Sequence, residues 1–391
     1  MDEKIIKTAK DLKSYIIDKR RDFHMHPELK FEEKRTSGIV SKELISLGFD
    51  ISKVADTGVI GILKGKDSRT VALRADMDAL PIKEATGKSY TSKVEGKMHA
   101  CGHDGHIAML LGAARILSSI RENLNGTVKL IFQPAEEGGW GAEKVVESSL
   151  LDNIDAIFGM HLWANLPSGA IGVKPGPLMA SVDSFKIHLK GKGGHAAEPE
   201  KTIDPISALV DMVNAYQKII SREVSTFEPA ILSITSIDSG EAFNVIPENA
   251  YMLGTVRAVN LDVRNFIIKR MKEITKGYAK AMNCSAQFEI FAKTSPPVIN
   301  DENLALFAKS VLSSLGNVVE PKMTMIGEDF SFYARKAKTL FLFLGIRNEE
   351  KGIIFPHHHP KFDIDEDVLD KGSAIYSLFA YQYLANLDLR K

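Results

Sequence analysis

The sequence predicts an α/β fold in which one domain is interrupted by a smaller one. Three observations carry this. Before Pro175 and again after Asn300, short apolar runs of strand length alternate with amphipathic helical segments, the texture of a mixed or parallel sheet covered by helices. Between these stretches the order changes to strand, helix, strand, strand, helix, strand, which is the split βαβ or ferredoxin-like pattern. Proline-rich punctuation marks both changes, at Lys174-Pro175-Gly176-Pro177 and Thr294-Ser295-Pro296-Pro297. The expected organisation is a discontinuous domain, 1–180 with 294–391, and an insert, 181–293, of ordinary domain size.

Each element follows from local patterning. Ile5, Ile6, Ala9, Leu12, Tyr15 and Ile16 recur at helical spacing and predict one helix over 4–22. A second helix, 35–47, is closed by Gly48. Strands are expected at 59–63 and 70–73, a helix at 105–120, and strands at 127–132 and 155–160. The insert is expected as strand 184–190, helix 204–221, strands 230–238 and 249–258, helix 261–282 and strand 285–291. The returning chain is read as helix 301–314, strand 339–344 and helix 367–386.

Composition narrows the function classes. With 44% hydrophobic and 26% charged residues in 391, the chain can bury large cores and is not disordered. Fifty basic and fifty acidic residues give zero net charge, so no nucleic-acid partner is expected. Cys101 and Cys284 are too few for a disulfide framework and suit a reducing compartment. No apolar stretch reaches the length of a membrane span, and Met1-Asp2-Glu3-Lys4 opens a charged helix rather than a secretory signal. A cytoplasmic protein without membrane partners is expected.

The chemistry-bearing residues gather where strands are expected to end. In open α/β sheets, ligands collect beyond the carboxyl ends of strands. Strand 127–132 leads to Glu136-Glu137, strand 155–160 to His161, and strand 70–73 to Asp76-Met77-Asp78. On an extended chain Glu136 and Glu137 would point to opposite sides. Cys101 and His103 precede helix 105–120, whose positive end favours thiolate over thiol. A last loop carries His357-His358-His359-Pro360. Taken singly, each has a bland account: surface charge for the glutamates, a core filler for Cys101, a surface loop for the histidines. Clustered at one sheet edge, cysteine, histidine and glutamate select borderline transition metals, zinc first. In the insert, His195 follows Gly191-Lys192-Gly193-Gly194, which a simple hairpin turn also explains, and Asn244 and Arg257 are candidates for holding a substrate carboxylate, with Arg257 equally readable as a surface cation.

The sequence resembles the co-catalytic metallopeptidase family of aminoacylases, carboxypeptidases and amidohydrolases, in its hippurate and auxin-conjugate hydrolase-like branch. The resemblance runs nearly end to end. It rests on Arg20-Arg21-Asp22-Phe23-His24-Met25-His26-Pro27-Glu28-Leu29, Arg74-Ala75-Asp76-Met77-Asp78, His99-Ala100-Cys101-Gly102-His103-Asp104-Gly105-His106, Gln133-Pro134-Ala135-Glu136-Glu137-Gly138-Gly139, Gly191-Lys192-Gly193-Gly194-His195 and Asn244-Val245-Ile246-Pro247. It implies a mixed-sheet, zinc-peptidase-like catalytic domain with an inserted ferredoxin-like (βαββαβ) lid or dimerisation domain. It implies Cys101, His103, Glu137, His161 and His358 as ligands of two metal ions, zinc or else manganese, cobalt or nickel. His358 is preferred because the family's ligand lies two residues before a proline, with His357 and His359 still open. Glu136 matches the general base, and His195 a group that polarises the scissile carbonyl, in many relatives from a partner subunit. Where the wider family has His-x-Asp, this chain has Asp76-x-Asp78, so Asp78 is expected to orient a ligand. The implied activity is hydrolysis of N-acyl amino acids or short peptides beside a free C-terminal residue, by a homodimer or homotetramer. A deacetylase of a biosynthetic intermediate and a non-catalytic binding protein are the rivals.

Overall fold

The computed structural model describes residues 1–291 and 294–386. It divides into two compact units. The first is Met1–Gly176 with Ile299–Lys322 and Phe332–Lys391; the second is Pro177–Val298 with Met323–Ser331.

In chain order the first unit begins with α1 (Asp2–Asp11), α2 (Lys13–Met25), α3 (Lys34–Ser46), β1 (Asp50–Val54), β2 (Gly58–Leu63), β3 (Thr70–Asp76) and α4 (His103–Ser119). It continues through β4 (Thr127–Gln133), α5 (Glu136–Gly139), α6 (Gly141–Val146), β5 (Ala156–Pro167) and β6 (Ile171–Gly172). A short strand, β7 (Gly176–Met179), leads into β8 (Ser181–Lys190), β9 (Gly194–His195), α7 (Pro205–Lys218), β10 (Ala230–Ser239), β11 (Val245–Ile246), β12 (Asn249–Ala258), α8 (Leu261–Ala281) and β13 (Ser285–Ile290). The chain then forms β14 (Val298–Asn300), α9 (Glu302–Leu312), β15 (Val318–Val319), β16 (Lys338–Arg347) and α10 (Leu369–Ala385).

The first unit is built on an eight-stranded mixed sheet of order β1-β2-β4-β3-β5-β16-β6-β15. Its centre is parallel, β3 pairing with β4 and β5, and β5 with β16. Every residue of β3 is buried, as expected for a strand covered on both faces. The parallel register sets the site. Asp76 pairs with Gln133, and Arg74 pairs with Gly159, so His161, two residues further along β5, is level with Asp76. Helix α4 is apolar almost all round and buried, packing against α10 and α2. Glycine allows the close α4–α10 crossing: a Cβ on Gly372 would lie 1.9 Å from Met109 Sδ, and one on Gly112 would lie 2.3 Å from Ser373 Oγ. The crossing holds α4, and with it His103 at its first turn.

The second unit carries a four-stranded antiparallel sheet of order β10-β12-β8-β13. Strand β12 alternates buried and half-buried positions along its whole length. Its buried face joins α7 and α8 in a core of Phe185, Ile187, Met212, Tyr216, Met252 and Met271. Asp204 and Asn260 cap the two helices, accepting from the amides of Ile206 and Asp262. A separate two-stranded ribbon pairs β9 with β11.

Two local expectations differ from the structure. The single helix over 4–22 is two helices joined at Leu12. Ile5 and Ala9 of α1 are buried where α1 meets α10, whereas Ile16 and Phe23 of α2 are buried where it meets α4, and one straight helix does not serve both. Strand β1 carries no sequence signal because it is an edge strand with Val54 as its one buried residue. No helix among the described residues is long and apolar enough to cross a membrane.

Candidate metal centre

The two glutamates do not sit on extended chain. After β4 the backbone turns through left-handed conformations at Ala135 (φ 55°) and Trp140 (φ 57°), and Glu136 opens the short kinked helix α5. Asp78 clamps this turn: one carboxylate oxygen accepts from the Glu136 amide at 2.9 Å and the other from the Glu137 amide at 2.9 Å. Glu33, fully buried, accepts from the Ala135 amide at 2.9 Å and from the Thr57 hydroxyl. The result corrects the expectation of opposed carboxylates. Glu136 and Glu137 both bring an oxygen into one group with a His103 nitrogen, the ligand atoms within 4.8 Å of one another.

Backbone contacts set the histidine tautomers. His103 Nδ1 donates to the Asp78 carbonyl at 2.8 Å, which leaves Nε2 for a ligand; that atom is buried and has no hydrogen-bond partner among the described residues. His161 Nδ1 donates to the Leu162 carbonyl at 2.7 Å, and its Nε2 lies 3.5 Å from Cys101 Sγ. His106 is saturated, with Nδ1 on Asp76 Oδ1 at 2.5 Å and Nε2 accepting from the Leu162 amide at 2.9 Å. In the triple-histidine loop the three residues make different contacts. His357 is tied to the Leu162 carbonyl at 2.9 Å, and His359 stacks on Phe355. His358 takes a left-handed conformation (φ 64°), its amide donates to Ala100, and its Nε2 lies 3.0 Å from Glu137 Oε1. Cys101, His103 and His161 thus form one candidate triad, and Cys101, Glu137 and His358 another. Asp76 is engaged elsewhere, accepting from Arg74 at 2.8 Å as well as from His106.

The electrostatics of this cluster favour a cation. Burial disfavours a charged His103, yet Asp76 and Asp78 outweigh it and raise the imidazole to about 10. His161 goes the other way, held neutral by burial and by the neighbouring His106 and His357. Burial and the charges of Glu137 and Glu136 push the Cys101 thiol well up, against the direction expected from the helix terminus alone. A positive charge placed among these groups would reverse that shift and deprotonate the thiol. The orphaned His103 Nε2, the neutral His161 and the sulfur–nitrogen–oxygen donor set all fit a divalent transition metal.

The comparisons with known proteins agree with this chemistry. The model described as Peptidase family M20/M25/M40 matches residues 72–382. The chain belongs to that family. It is similar to N-acetylcysteine deacetylase of Bacillus subtilis (strain 168), with 42% identity covering 93% of this chain and 96% of that one. It is similar to thermostable carboxypeptidase 1 of Saccharolobus solfataricus, with 40% identity covering 97% and 98%. Among solved structures, the Bacillus subtilis YXEP protein, described as a dinuclear metal binding peptidase from the M20 family, superposes with a TM-score of 0.86 at 38% identity, covering 97% and 99%.

The remaining predicted site residues of this M20/M25/M40 chain lie in the second unit. His195 and Asn244 meet on the ribbon: His195 pairs with Val245, and the Ala196 amide donates to the Asn244 carbonyl at 3.0 Å. His195 is exposed, and its Nδ1 accepts from the Ala197 amide at 3.1 Å, which leaves Nε2 to carry the proton. Arg257 is half-buried near the far end of β12, with Nε on Thr255 Oγ1 at 3.2 Å. Eight residue steps along β12 separate Arg257 from Asn249, roughly 27 Å, and the ribbon joins that strand at its Asn249 end. Sequence reasoning missed Glu33 and His106 as supports. His106 had a usable signal, three residues after His103 on the same helix. Glu33 had none, since its partner Ala135 is distant in sequence.

Proposed function

We propose that the protein is a metal-dependent amide hydrolase acting on N-acyl amino acids or short peptides beside a free C-terminal carboxylate. The observation that carries this is the convergence of Cys101, His103, Glu137, His161 and His358, with Glu136 at the same group. Two divalent ions are the proposed occupants, zinc first because of the cysteine, with manganese, cobalt or nickel as substitutes. Such ions, when bound, lower the pKa of water and polarise a carbonyl oxygen.

The chain's own residues do the rest. Glu136 is the general base, taking a proton on its carboxylate and returning it to the leaving amine. Asp78 aims Glu136 and Glu137 through their amides and His103 through its carbonyl. His195, with its proton on Nε2, donates to the scissile carbonyl. Asn244 and Arg257 hold the substrate carboxylate. The second unit, with its βαββαβ order, is the ferredoxin-like lid and dimerisation module. Its apolar surface supports a homodimer or homotetramer: Phe227, Ile237 and Phe243 are exposed, and β10 is an edge strand. The wide spacing between the ribbon and Arg257 supports contributions from two subunits to one substrate.

The test is a panel of acylated amino acids and blocked dipeptides, assayed with chelator and after readdition of each metal. Chelator-sensitive cleavage restored by metal supports the reading; no cleavage by a metal-loaded protein would refute it. The likeness to a protein named as a deacetylase favours acetylated amino acids as the second reading. Acetyl-amino acids outpacing longer acyl groups and peptides on that panel would select it.

A further inference from the structure

Beside the candidate metal centre, the first unit buries a second polar cluster that the proposed chemistry does not use. At its middle is Arg20, fully buried. Its Nε donates to Asp104 Oδ2 at 2.8 Å, its Nη2 to Asp363 Oδ1 at 2.8 Å, and its Nη1 to Glu366 Oε1 at 3.2 Å. Tyr90 stacks on the guanidinium, 4.8 Å from its ring centre, and donates its hydroxyl to Asp363 Oδ2 at 2.9 Å. His24, one turn along α2, bonds Asp104 Oδ2 at 2.7 Å and Glu84 Oε1 at 3.2 Å. The other Asp104 oxygen is buried and has no hydrogen-bond partner among the described residues, so Arg20 and His24 hold that carboxylate.

The partners of Arg20 are placed tellingly. Asp104 is the residue after His103, and Asp363 lies five residues beyond His358. The stretch between His358 and Asp363 is short and braced, with the Phe362 amide on the His359 carbonyl at 2.8 Å and the Ala85 amide on the Pro360 carbonyl at 2.8 Å. One guanidinium therefore joins the Cys101–His103 segment to the His358 loop, two pieces of chain some two hundred and fifty residues apart. Stability is a poor reason to keep such a cluster, because buried ion pairs often do no better than apolar packing. A planar fork with donors at set angles is well suited to holding two carboxylates at a set separation.

We propose that Arg20 is a positioning residue that sets the spacing between the Cys101–His103 segment and the His358 loop, and so the geometry of the two candidate metal sites. This rests on the metal-centre reading above. Asp104 transmits the constraint to His103, and Asp363 transmits it to His358. Removing the arginine loosens both sites; breaking the Asp363 arm loosens only the site that uses His358.

The experiment is a cobalt titration of the metal-free full chain against a competing chromophoric chelator, following thiolate-to-cobalt charge transfer from Cys101. Wild type is expected to take two equivalents. Arg20→Gln is expected to bind both about 10–100-fold more weakly, the range typical of ligand-orienting groups. Asp363→Asn, a near-isosteric change that stands in if Arg20→Gln does not fold, is expected to weaken one equivalent and keep the charge-transfer band. A merely structural role would lower the melting temperature without separating the two equivalents. A folded Arg20→Gln, or failing that Asp363→Asn, that binds both equivalents as wild type does would overturn the positioning role alone. A wild type that takes up no cobalt would overturn the metal centre, and this role with it.

Discussion

The candidate metal centre and the His195–Asn244 ribbon hold their polar groups in opposite ways. Around the centre, His103, His106, Asp76 and Asp78 are buried, and backbone or carboxylate partners set their orientation. On the ribbon, His195 is exposed, and its ring bonds to an amide two residues away. Burial with full orientation preorganises these groups before any ion arrives, while His358 on its loop is exposed. An exposed imidazole on a two-stranded ribbon, held by one local amide, gains the rest of its orientation from what it later touches. Changes at the centre should therefore alter metal binding, stability or the chemical step, whereas changes at the ribbon should alter turnover alone.

The sharpest way to break this contrast is Glu136→Gln. It should lower kcat by about 10²–10⁴-fold, the usual worth of a general base, with metal content unchanged by elemental analysis. Glu33 offers the next largest effect. Burial raises its carboxyl to about 7 from 4.5, with hydrogen bonds from Thr57 and the Ala135 amide opposing the shift. The folded state thus holds this proton more tightly than the unfolded chain. Its contribution is fully present below about pH 4.5 and is lost as pH rises to about 7. Over that window wild type should lose about 3 kcal/mol that Glu33→Gln does not lose, as read by denaturant melts at each pH. Equal slopes would show that Glu33 does not brace the Ala135 turn as a protonated acid. Asp78→Asn replaces one of the two accepting oxygens with an NH2 group, which cannot accept from the amide it faces. Metal affinity should fall about 10–100-fold in a competition titration. The smallest stability effect belongs to His195→Ala, which should move unfolding free energy by no more than about 0.5 kcal/mol while lowering kcat. A large loss of melting temperature there would erase the distinction between the two regions.

Part of this arrangement is legible in the amino-acid sequence. Strands β3, β4, β5 and β16 show as short apolar runs, and the β-α-β-β-α-β order of the second unit shows in alternation and helical spacing. Those signals are periodic, and a covered strand or helix face must repeat them. The gathering of Glu137 and His161 beyond β4 and β5 is expected because parallel strands place their carboxyl ends on one edge, whereas the full set with Cys101, His103 and His358 is what the family resemblance implies. Less is readable where one residue's role depends on a distant partner. Residue patterning puts Glu136 and Glu137 on extended chain, and only the left-handed turn at Ala135, held by Glu33, brings them to one group.

The sequence by itself determined which chemistry is possible: a soft and borderline donor set, an acid beside it, and the sheet edge where they meet. The tertiary structure decided how each donor is aimed. It set His358 Nε2 beside Glu137, while His357 is held by the Leu162 carbonyl and His359 stacks on Phe355. It gave Asp78 the clamp and Arg20 the bridge, because a hydrogen bond between residues far apart in the chain leaves no periodic trace in either segment.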